Sequence, residues 1–227
     1  MTIVIPTKNE EENIGVLLHT IFNQTLNKKL IKVIIADANS TDKTLLIVES
    51  FKNLIDIEVV EGGLPSKGRN NGAKKATTKY ILFIDADIGL FHKNILQESL
   101  KLMEEKSLDI ATTNIKTLDD RKSKILYGLS NIFQKLSKLH KPYSTGMFML
   151  VERETFEKVG KFDEEVVYAE DYHLSRRFDK KKFGIVKSAV YTPSRRFQKM
   201  GYGKIVSMFL KAATGEKQFY NNKGYWD

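Results

Sequence analysis

Two patterns of hydrophobic and polar positions alternate along the first half of the chain. Short apolar runs predict strands, and longer stretches with apolar residues at every third or fourth position predict helices. The predicted strands span residues 2–6, 31–37, 56–61 and 79–85, and the predicted helices span residues 10–23, 41–53, 67–77 and 92–106. Because alternating strands and helices form βαβ units, we expect an α/β protein with a Rossmann-like, doubly wound, mostly parallel sheet and flanking helices.

The second half adds a fifth predicted strand at residues 108–115 and an amphipathic helix over residues 119–139. The apolar residues of that helix recur at helical spacing and share one side. They are Ile125, Leu129, Ile132, Phe133, Leu136 and Leu139. A strand up to residue 151 and a short helix at residues 153–159 follow. No repeat, low-complexity segment or linker interrupts the pattern, so we expect one domain.

The composition limits the cellular location of the protein and the kinds of chemical site that it can contain. The chain has no Cys, which excludes disulfides, thiol nucleophiles and Cys-ligated metals. No run approaches the ~18 apolar residues that a membrane-spanning helix needs. The first residues do not resemble a signal segment. We therefore expect a cytoplasmic location, with peripheral attachment to the inner face of the membrane as an alternative.

The charge of +9 is concentrated towards the end of the sequence. Residues 173–227 contain 13 Lys and Arg but three Asp and Glu, whereas the first 172 residues contain 24 basic and 25 acidic groups. This distribution predicts an anionic partner: membrane lipid, a phosphorylated substrate or nucleic acid. No recognised nucleic-acid motif accompanies it, so we expect no nucleic-acid partner. The spacing of Ile205, Met208, Phe209 and Ala212 predicts a helix over residues 202–215, packed on the domain or resting on an anionic membrane.

Candidate chemistry begins with the apolar run of residues 81–84, which predicts a strand buried on both faces. Asp85 and Asp87 follow it directly. Ligands of open α/β sheets bind beyond the carboxyl ends of the strands, where two neighbouring carboxylates repel each other unless a cation lies between them. Oxygen ligands of this kind suit Mg²⁺ or Mn²⁺. The alternative is a strand that ends in two solvated acids.

Seven segments, in order and spacing, resemble the family-2 glycosyltransferases, which have the GT-A fold. They are residues 3–10, 35–42, 67–73, 85–87, 145–148, 159–163 and 170–177. The resemblance spans roughly residues 1–197 and implies a GT-A domain there, with residues 198–227 as a basic C-terminal extension. It also implies transfer of a sugar, of the hexosyl type, from a nucleotide diphosphate donor with Mn²⁺ or Mg²⁺ as cofactor.

The resemblance assigns roles residue by residue. The donor nucleotide would be bound by Pro6, Thr7, Asn9, Glu10, Asp37, Lys67, Arg69, Asp85 and Ala86. The metal ligands would be Asp87 and Asp85, and the general base would be Asp171. The diphosphate or acceptor would contact Gly146, Glu170, Arg195 and Arg196. Many GT-A enzymes supply a further metal ligand, often a histidine, from the C-terminal region. No histidine follows residue 173 here, and the Arg pair is the candidate replacement.

Some of these residues also have plain structural interpretations. Asn9 suits a helix cap, Asp37 a turn, and Lys67 and Arg69 an exposed loop. The acidic pair at residues 170–171 suits the first turn of a helix.

One base without a second catalytic carboxylate motif implies single displacement with inversion. The expected donor is a UDP- or GDP-sugar, because a carboxylate can bond either base. The acceptor is open, with polyprenyl phosphate and glycolipid as candidates. Two other functions stay under consideration. A nucleotidyltransferase has related topology, but its Gly-rich loop is missing after the first strand. A catalytically silent nucleotide-sugar-binding module would lack the acids that are present here.

Overall fold

The computed structural model describes residues 1–204 and residue 207, without the side chain of Arg196. The strands are β1 (Thr2–Thr7), β2 (Lys32–Asp37), β3 (Asp56–Glu61), β4 (Tyr80–Phe83), β5 (Ile110–Lys116), β6 (Met149–Glu152) and β7 (Phe183–Tyr191). The helices are α1 (Ile14–Phe22), α2 (Thr44–Phe51), α3 (Pro65–Lys74), α4 (Ile95–Glu105), α5 (Arg121–Ser137), α6 (Arg153–Lys158), α7 (Glu170–Ser175) and α8 (Arg195–Met200). Short 3₁₀ turns lie at Lys28–Leu30 and Lys180–Lys182.

The strands form one sheet in the order β3-β2-β1-β4-β6-β5-β7. β3, β2, β1 and β4 are mutually parallel, β6 is antiparallel to both of its neighbours, and β7 is parallel to β5. The sheet confirms the expected mostly parallel, doubly wound α/β architecture. The carboxyl ends of β1, β2 and β4 lie side by side, which is where such folds bind ligands.

Helices cover both faces of the sheet because the strand residues are apolar on both. In β1, Ile3 and Ile5 face the larger core with α1, α2 and α4, whereas Val4 faces a second core with α3, α6 and α7. The ring of Phe83 holds the second core together through contacts with Phe156 and Phe162, with centroids 5.1 and 5.0 Å away.

Helix α5 forms where predicted, but its apolar side faces solvent. The buried residues of this helix are Ser123, Tyr127, Gln134 and Ser137. Asn131 fixes the orientation, because its side chain exchanges two hydrogen bonds of 2.8 Å with the backbone of Ile115 on β5. These hydrogen bonds, together with the packing of Tyr127 in the main core, fix which side of the helix is buried. No helix in the described part of the chain is long and apolar enough to cross a membrane.

Candidate functional site

The loops after β1 and β2 are tied together at the edge of the sheet. The carboxylate of Asp37 accepts hydrogen bonds from the backbone N–H of Ser40 (2.9 Å) and from its hydroxyl (2.6 Å). Asn9 has a left-handed φ of 50°; its N–H donates to Ser40 Oγ (2.9 Å) and its Oδ1 accepts from the N–H of Thr41 (2.8 Å). Asn9 therefore joins two loops rather than capping helix α1. Asp37 holds a turn, as the structural interpretation expected.

Glu10 and Asp87 meet at the guanidinium of Arg195. Arg195 Nη2 donates to Glu10 Oε1 and Oε2 at 3.0 and 2.9 Å and to Asp87 Oδ2 at 3.1 Å. Asp119 positions the helix that carries this arginine, because its carboxylate accepts from the N–H (2.5 Å) and hydroxyl (2.6 Å) of Ser194. The fold thus brings Arg195 into contact with Glu10 and Asp87, both more than 100 positions away in the sequence.

Asp87 is partly buried near two other carboxylates, those of Asp85 and Glu10. Burial raises the pKa of Asp87 to about 6, and the charges of Asp85 and Glu10 add to this effect, while Arg195 opposes it. A divalent cation with oxygen ligands would relieve the repulsion, so the donor set fits Mg²⁺ or Mn²⁺. Among the described residues, no group of three or more His, Cys, Asp or Glu forms a metal site alone. Such an ion would take its remaining ligands from a bound molecule.

Arg69 connects this acidic pair to helix α7. It is 2% exposed, and its guanidinium donates to Asp85 Oδ1 at 2.6 Å and to Glu170 through a close ion pair. Its guanidinium carbon also lies 5.4 Å from the centre of the Phe162 ring. A side chain at Gly146 would collide with the guanidinium, which explains the glycine there. Arg69 is therefore a buried link between two carboxylates.

Asp171 is held by backbone donors in the first turn of α7. Its Oδ2 accepts from the N–H of Gly146 at 2.5 Å and its Oδ1 from the N–H of Tyr172 at 2.7 Å. Burial raises the pKa of Asp171, with Arg69 opposing. Burial also raises the pKa of the neighbouring Glu170. The arrangement holds a carboxylate in one orientation and makes it a stronger base than an exposed aspartate.

The structure brings most of the predicted residues together. Asp85 and Asp87 link the Arg195 contacts on one side to Arg69, Glu170 and Asp171 on the other. Pro6, Thr7 and Ala86 are buried at the adjoining strand ends.

Two basic residues of helix α3, Lys67 and Arg69, have different environments. Both lie on helix α3, so the expectation of a loop is wrong. Lys67 is nevertheless exposed and pairs with Glu61 at 3.0 Å, as expected for a surface charge. The same expectation is wrong for Arg69, which is buried. The phosphate contacts predicted for both stay a prediction. Arg196 belongs to α8, but its side chain is outside the described part, as is most of the predicted helix at 202–215.

Sequence reasoning missed the roles of three residues that shape the site. Asp119 orients Arg195 through Ser194, a contact that spans 75 positions and carries no local signal. Tyr143 is buried with its ring 5.8 Å from that of Tyr172, next to the candidate base. Ser40, which anchors Asp37, lay within a recognised segment and could have been found from it.

Comparison with known proteins identifies the family of this chain. The sequence model of the family described as glycosyl transferase family 2 matches residues 2–160. The poly(ribitol-phosphate) beta-N-acetylglucosaminyltransferase TarS of Staphylococcus aureus (strain Mu50) is 31% identical over 124 residues, or 53% of this chain and 22% of TarS. The minor teichoic acid biosynthesis protein GgaA of Bacillus subtilis (strain 168) is 28% identical over 214 residues, or 86% of this chain and 47% of GgaA. This chain thus spans less than half of either relative.

Two solved structures share the architecture. S. aureus TarS 1–349 in complex with UDP-GlcNAc aligns with a TM-score of 0.72 and 23% identity, over 86% of this chain and 58% of that one. The mannosyltransferase PcManGT from Pyrobaculum calidifontis, in complex with GDP-Man and Mn²⁺, aligns with a TM-score of 0.73 and 20% identity, over 94% and 64%. These neighbours confirm the GT-A fold, and the model match over most of the chain shows that it belongs to glycosyl transferase family 2.

Proposed function

We propose that this protein is an inverting glycosyltransferase that moves a sugar from a nucleoside-diphosphate donor to a hydroxyl or phosphate group of its acceptor. The observation that carries this proposal is the run of contacts from Asp85 through Arg69 to Glu170, beside Asp171. It joins a candidate cation site to a candidate base along one edge of the sheet, as displacement at a sugar diphosphate requires. The family match and the glycosyltransferases among the relatives support the same reaction class.

Asp171 is proposed as the general base. Two backbone N–H groups fix its carboxylate, and its raised pKa brings its basicity nearer to neutral pH. As the acceptor oxygen bonds to the anomeric carbon, the bond from that carbon to the diphosphate oxygen breaks and the acceptor proton passes to Asp171. A single displacement of this kind inverts the configuration at the anomeric carbon.

The nucleotide is proposed to bind across the ends of β1 and β2, beside Asn9 and Asp37. Their hydrogen bonds to residues 40 and 41 prearrange both loops, so little ordering remains for the ligand to impose. A carboxylate at this position can accept from an N–H of either uracil or guanine. The UDP-GlcNAc and GDP-Man of the two structural neighbours make both donors reasonable candidates.

Asp85 and Asp87 would hold Mn²⁺ or Mg²⁺, which supplies Lewis-acid stabilisation to the leaving diphosphate. The guanidinium of Arg195 pairs with Glu10 and Asp87. We propose that this side chain reorients to bind the diphosphate oxygens when the donor is present. Within residues 1–204 and 207, its buried Nε has no hydrogen-bond partner, which leaves a donor for an anionic ligand. An arginine at this point binds phosphate oxygens through two parallel hydrogen bonds.

Residues 1–197 are proposed as the catalytic domain and residues 198–227 as its extension, with Met200 and Tyr202 packed on the main core. The basic charge from residue 173 onwards favours an anionic acceptor. The poly(ribitol-phosphate) in the TarS name is one acceptor of that class, and a lipid-linked phosphate is another. A cytoplasmic enzyme, at the inner face of the membrane, fits both.

A thermal-shift panel with UDP, GDP, dTDP and CDP, each with and without Mn²⁺, tests the proposal. We expect UDP or GDP to raise the Tm, more strongly with Mn²⁺. Asp37→Asn should weaken this shift, whereas Asp56→Asn, an exposed aspartate at the start of β3, should not. The proposal is wrong if no nucleotide raises the Tm and neither UDP- nor GDP-sugar is consumed. Release of pyrophosphate from a nucleoside triphosphate and a sugar phosphate would favour a nucleotidyltransferase instead.

A further inference from the structure

Helix α5 presents a continuous apolar surface to solvent. Six large apolar side chains are each between 51% and 76% exposed. Five lie on α5 within an arc of about 100° at 100° per residue, and the sixth, Leu139, lies in the turn just after the helix. The six residues are Ile125, Leu129, Ile132, Phe133, Leu136 and Leu139, and together they are called the α5 face. Soluble proteins rarely expose apolar patches of this kind unless the patch contacts a partner.

After its N-cap Asp120, the α5 segment carries charges of one sign. Residues 121–151 contain six Lys and Arg and no Asp or Glu. The six are Arg121, Lys122, Lys124, Lys135, Lys138 and Lys141, and all are exposed. Lys180 adds another cation at the end of the helix, where its Nζ donates to the carbonyl of Leu139 at 2.9 Å. At 100° per residue, Lys124 and Lys135 lie along one margin of the α5 face, and Arg121 and Lys122 lie at its N-terminal end. Lys138 lies on the opposite side of the helix and is not part of this basic margin.

We propose that the α5 face docks on an anionic lipid membrane. An in-plane amphipathic helix binds such a surface by burying its apolar side below the headgroups while its Lys and Arg contact the anionic lipids. A second copy of the chain fits poorly, because pairing two α5 faces would bring two sets of cations together. Residues 205–227 also fit poorly, since their three Lys and two acidic residues leave the charges of the face unneutralised.

The candidate functional site at the carboxyl ends of β1, β2 and β4 is called the strand-end site. Aromatic contacts connect it to the α5 face. Phe133 lies 5.2 Å from the ring of Tyr143, which lies 5.8 Å from the ring of Tyr172. The N–H of Tyr172 donates to Asp171. Docking through α5 therefore brings the candidate base close to the membrane surface. Resting on the proposed function, this placement assigns the acceptor hydroxyl to a lipid-anchored molecule.

Co-sedimentation of the full chain with phosphatidylcholine vesicles, with and without phosphatidylglycerol, tests the docking. We expect binding to the anionic vesicles at low salt and weaker binding at high salt. The double variant Lys124→Glu/Lys135→Glu should lower the partition coefficient at least about tenfold, because each Lys near an anionic surface is worth roughly a factor of five. Leu129→Ser/Leu136→Ser should lower it by about the same factor through lost apolar burial.

Matched control variants separate the α5 face from general surface effects. Leu46→Ser changes a leucine that is 69% exposed on α2, and Lys101→Glu reverses an exposed lysine on α4. Both should bind vesicles as the wild type does. Consumption of the nucleotide sugar by water, measured without vesicles, should be the same in all variants, so failure of the docking can be told apart from failure of the proposed function.

Three outcomes would overturn the docking proposal. The first is absence of binding to anionic vesicles at low salt. The second is equal loss of binding in the control variants. The third is a concentration-dependent dimer that the Leu129→Ser/Leu136→Ser variant abolishes in light scattering, which would assign the α5 face to a second copy.

Discussion

The strand-end site and the α5 face both depart from the usual burial of apolar side chains and exposure of charged ones, but in opposite ways. At the strand ends, the charged side chains of Arg69 and Glu170 are buried, whereas on α5 large apolar side chains are exposed and polar ones are buried. Buried charges are rare unless they are paired, and those at the strand ends are paired internally. The described part of the chain contains nothing that covers the α5 face in the same way. One region is therefore explained by contacts within the protein and the other by a partner outside it.

The energetics of the two regions differ accordingly. Bringing a guanidinium and two carboxylates out of water costs several kcal/mol per ion, and only close pairing offsets that cost. Exposed leucines cost the folded state little, because most of their surface is also in water in the unfolded chain. Substitutions at the strand ends should thus affect both stability and catalysis. Those on α5 should affect neither stability nor the consumption of the nucleotide sugar measured without vesicles.

The largest effect is expected at Asp171. Asp171→Asn keeps the size of the side chain but cannot accept the acceptor proton, so turnover should fall by about 10²–10⁴, the usual weight of general-base catalysis. Nucleotide binding, followed by thermal shift, should change little. Glu165→Gln, at an exposed position, serves as the control. Near-normal turnover in Asp171→Asn would remove this residue from the mechanism.

Arg69 should give the next largest effect, on stability. Arg69→Met leaves the buried Glu170 and the nearby Asp85 without their cation, so the free energy of unfolding should fall by about 3–5 kcal/mol. Urea unfolding measures this change. The same substitution at exposed Lys67 should cost less than about 0.5 kcal/mol. A loss below about 1 kcal/mol for Arg69→Met would mean that the carboxylates do not depend on this pairing.

Local patterns predicted six of the seven strands and the strand-end residues, because these depend on short segments; the seventh strand, β7 (Phe183–Tyr191), was not predicted. The first four strands lie within two residues of their predicted bounds, since nearly continuous apolar runs mark strands that are covered on both faces. The acidic pair after β4 follows from its position at a strand end. Motif resemblance then added Asp171, which has no local signal beyond an acidic first turn.

Long-range contacts account for what the sequence could not predict. The burial of Arg69 depends on Glu170, 101 positions away, and periodicity gives no information about such a pair. Helical spacing correctly gave α5 and its apolar side, but it cannot tell whether that side faces the core. The contact between Asn131 and the backbone of Ile115, together with the packing of Tyr127, decides this. Averaging charge over 172 residues also concealed the acid-free segment at 121–151.

The pH dependence of activity tests whether burial strengthens the base. Asp171 works only when deprotonated, so kcat/KM should fall as the pH is lowered through its pKa. Because burial raises that pKa above the ordinary value of 3.8, the acid limb should lie above pH 3.8. Arg69 lowers the pKa of Asp171, so Arg69→Met should move the limb to higher pH, whereas Arg69→Lys should leave it nearer the wild type. A limb at or below pH 3.8 would contradict the burial of this carboxylate.

The smallest effect is expected on the α5 face, where the comparison between the two regions is sharpest. Leu136→Ala removes a side chain that is 57% exposed, so the free energy of unfolding should change by no more than about 0.5 kcal/mol. The matched change Leu96→Ala, at a fully buried position on α4, should cost about 2–5 kcal/mol. Urea unfolding of both variants without lipid gives the two values.

A cost above about 2 kcal/mol for Leu136→Ala would mean that another part of the protein covers the α5 face, since only a buried leucine loses that much on truncation. A negligible cost, together with weaker binding to anionic vesicles, would mean that this leucine contributes to a membrane contact and not to the fold.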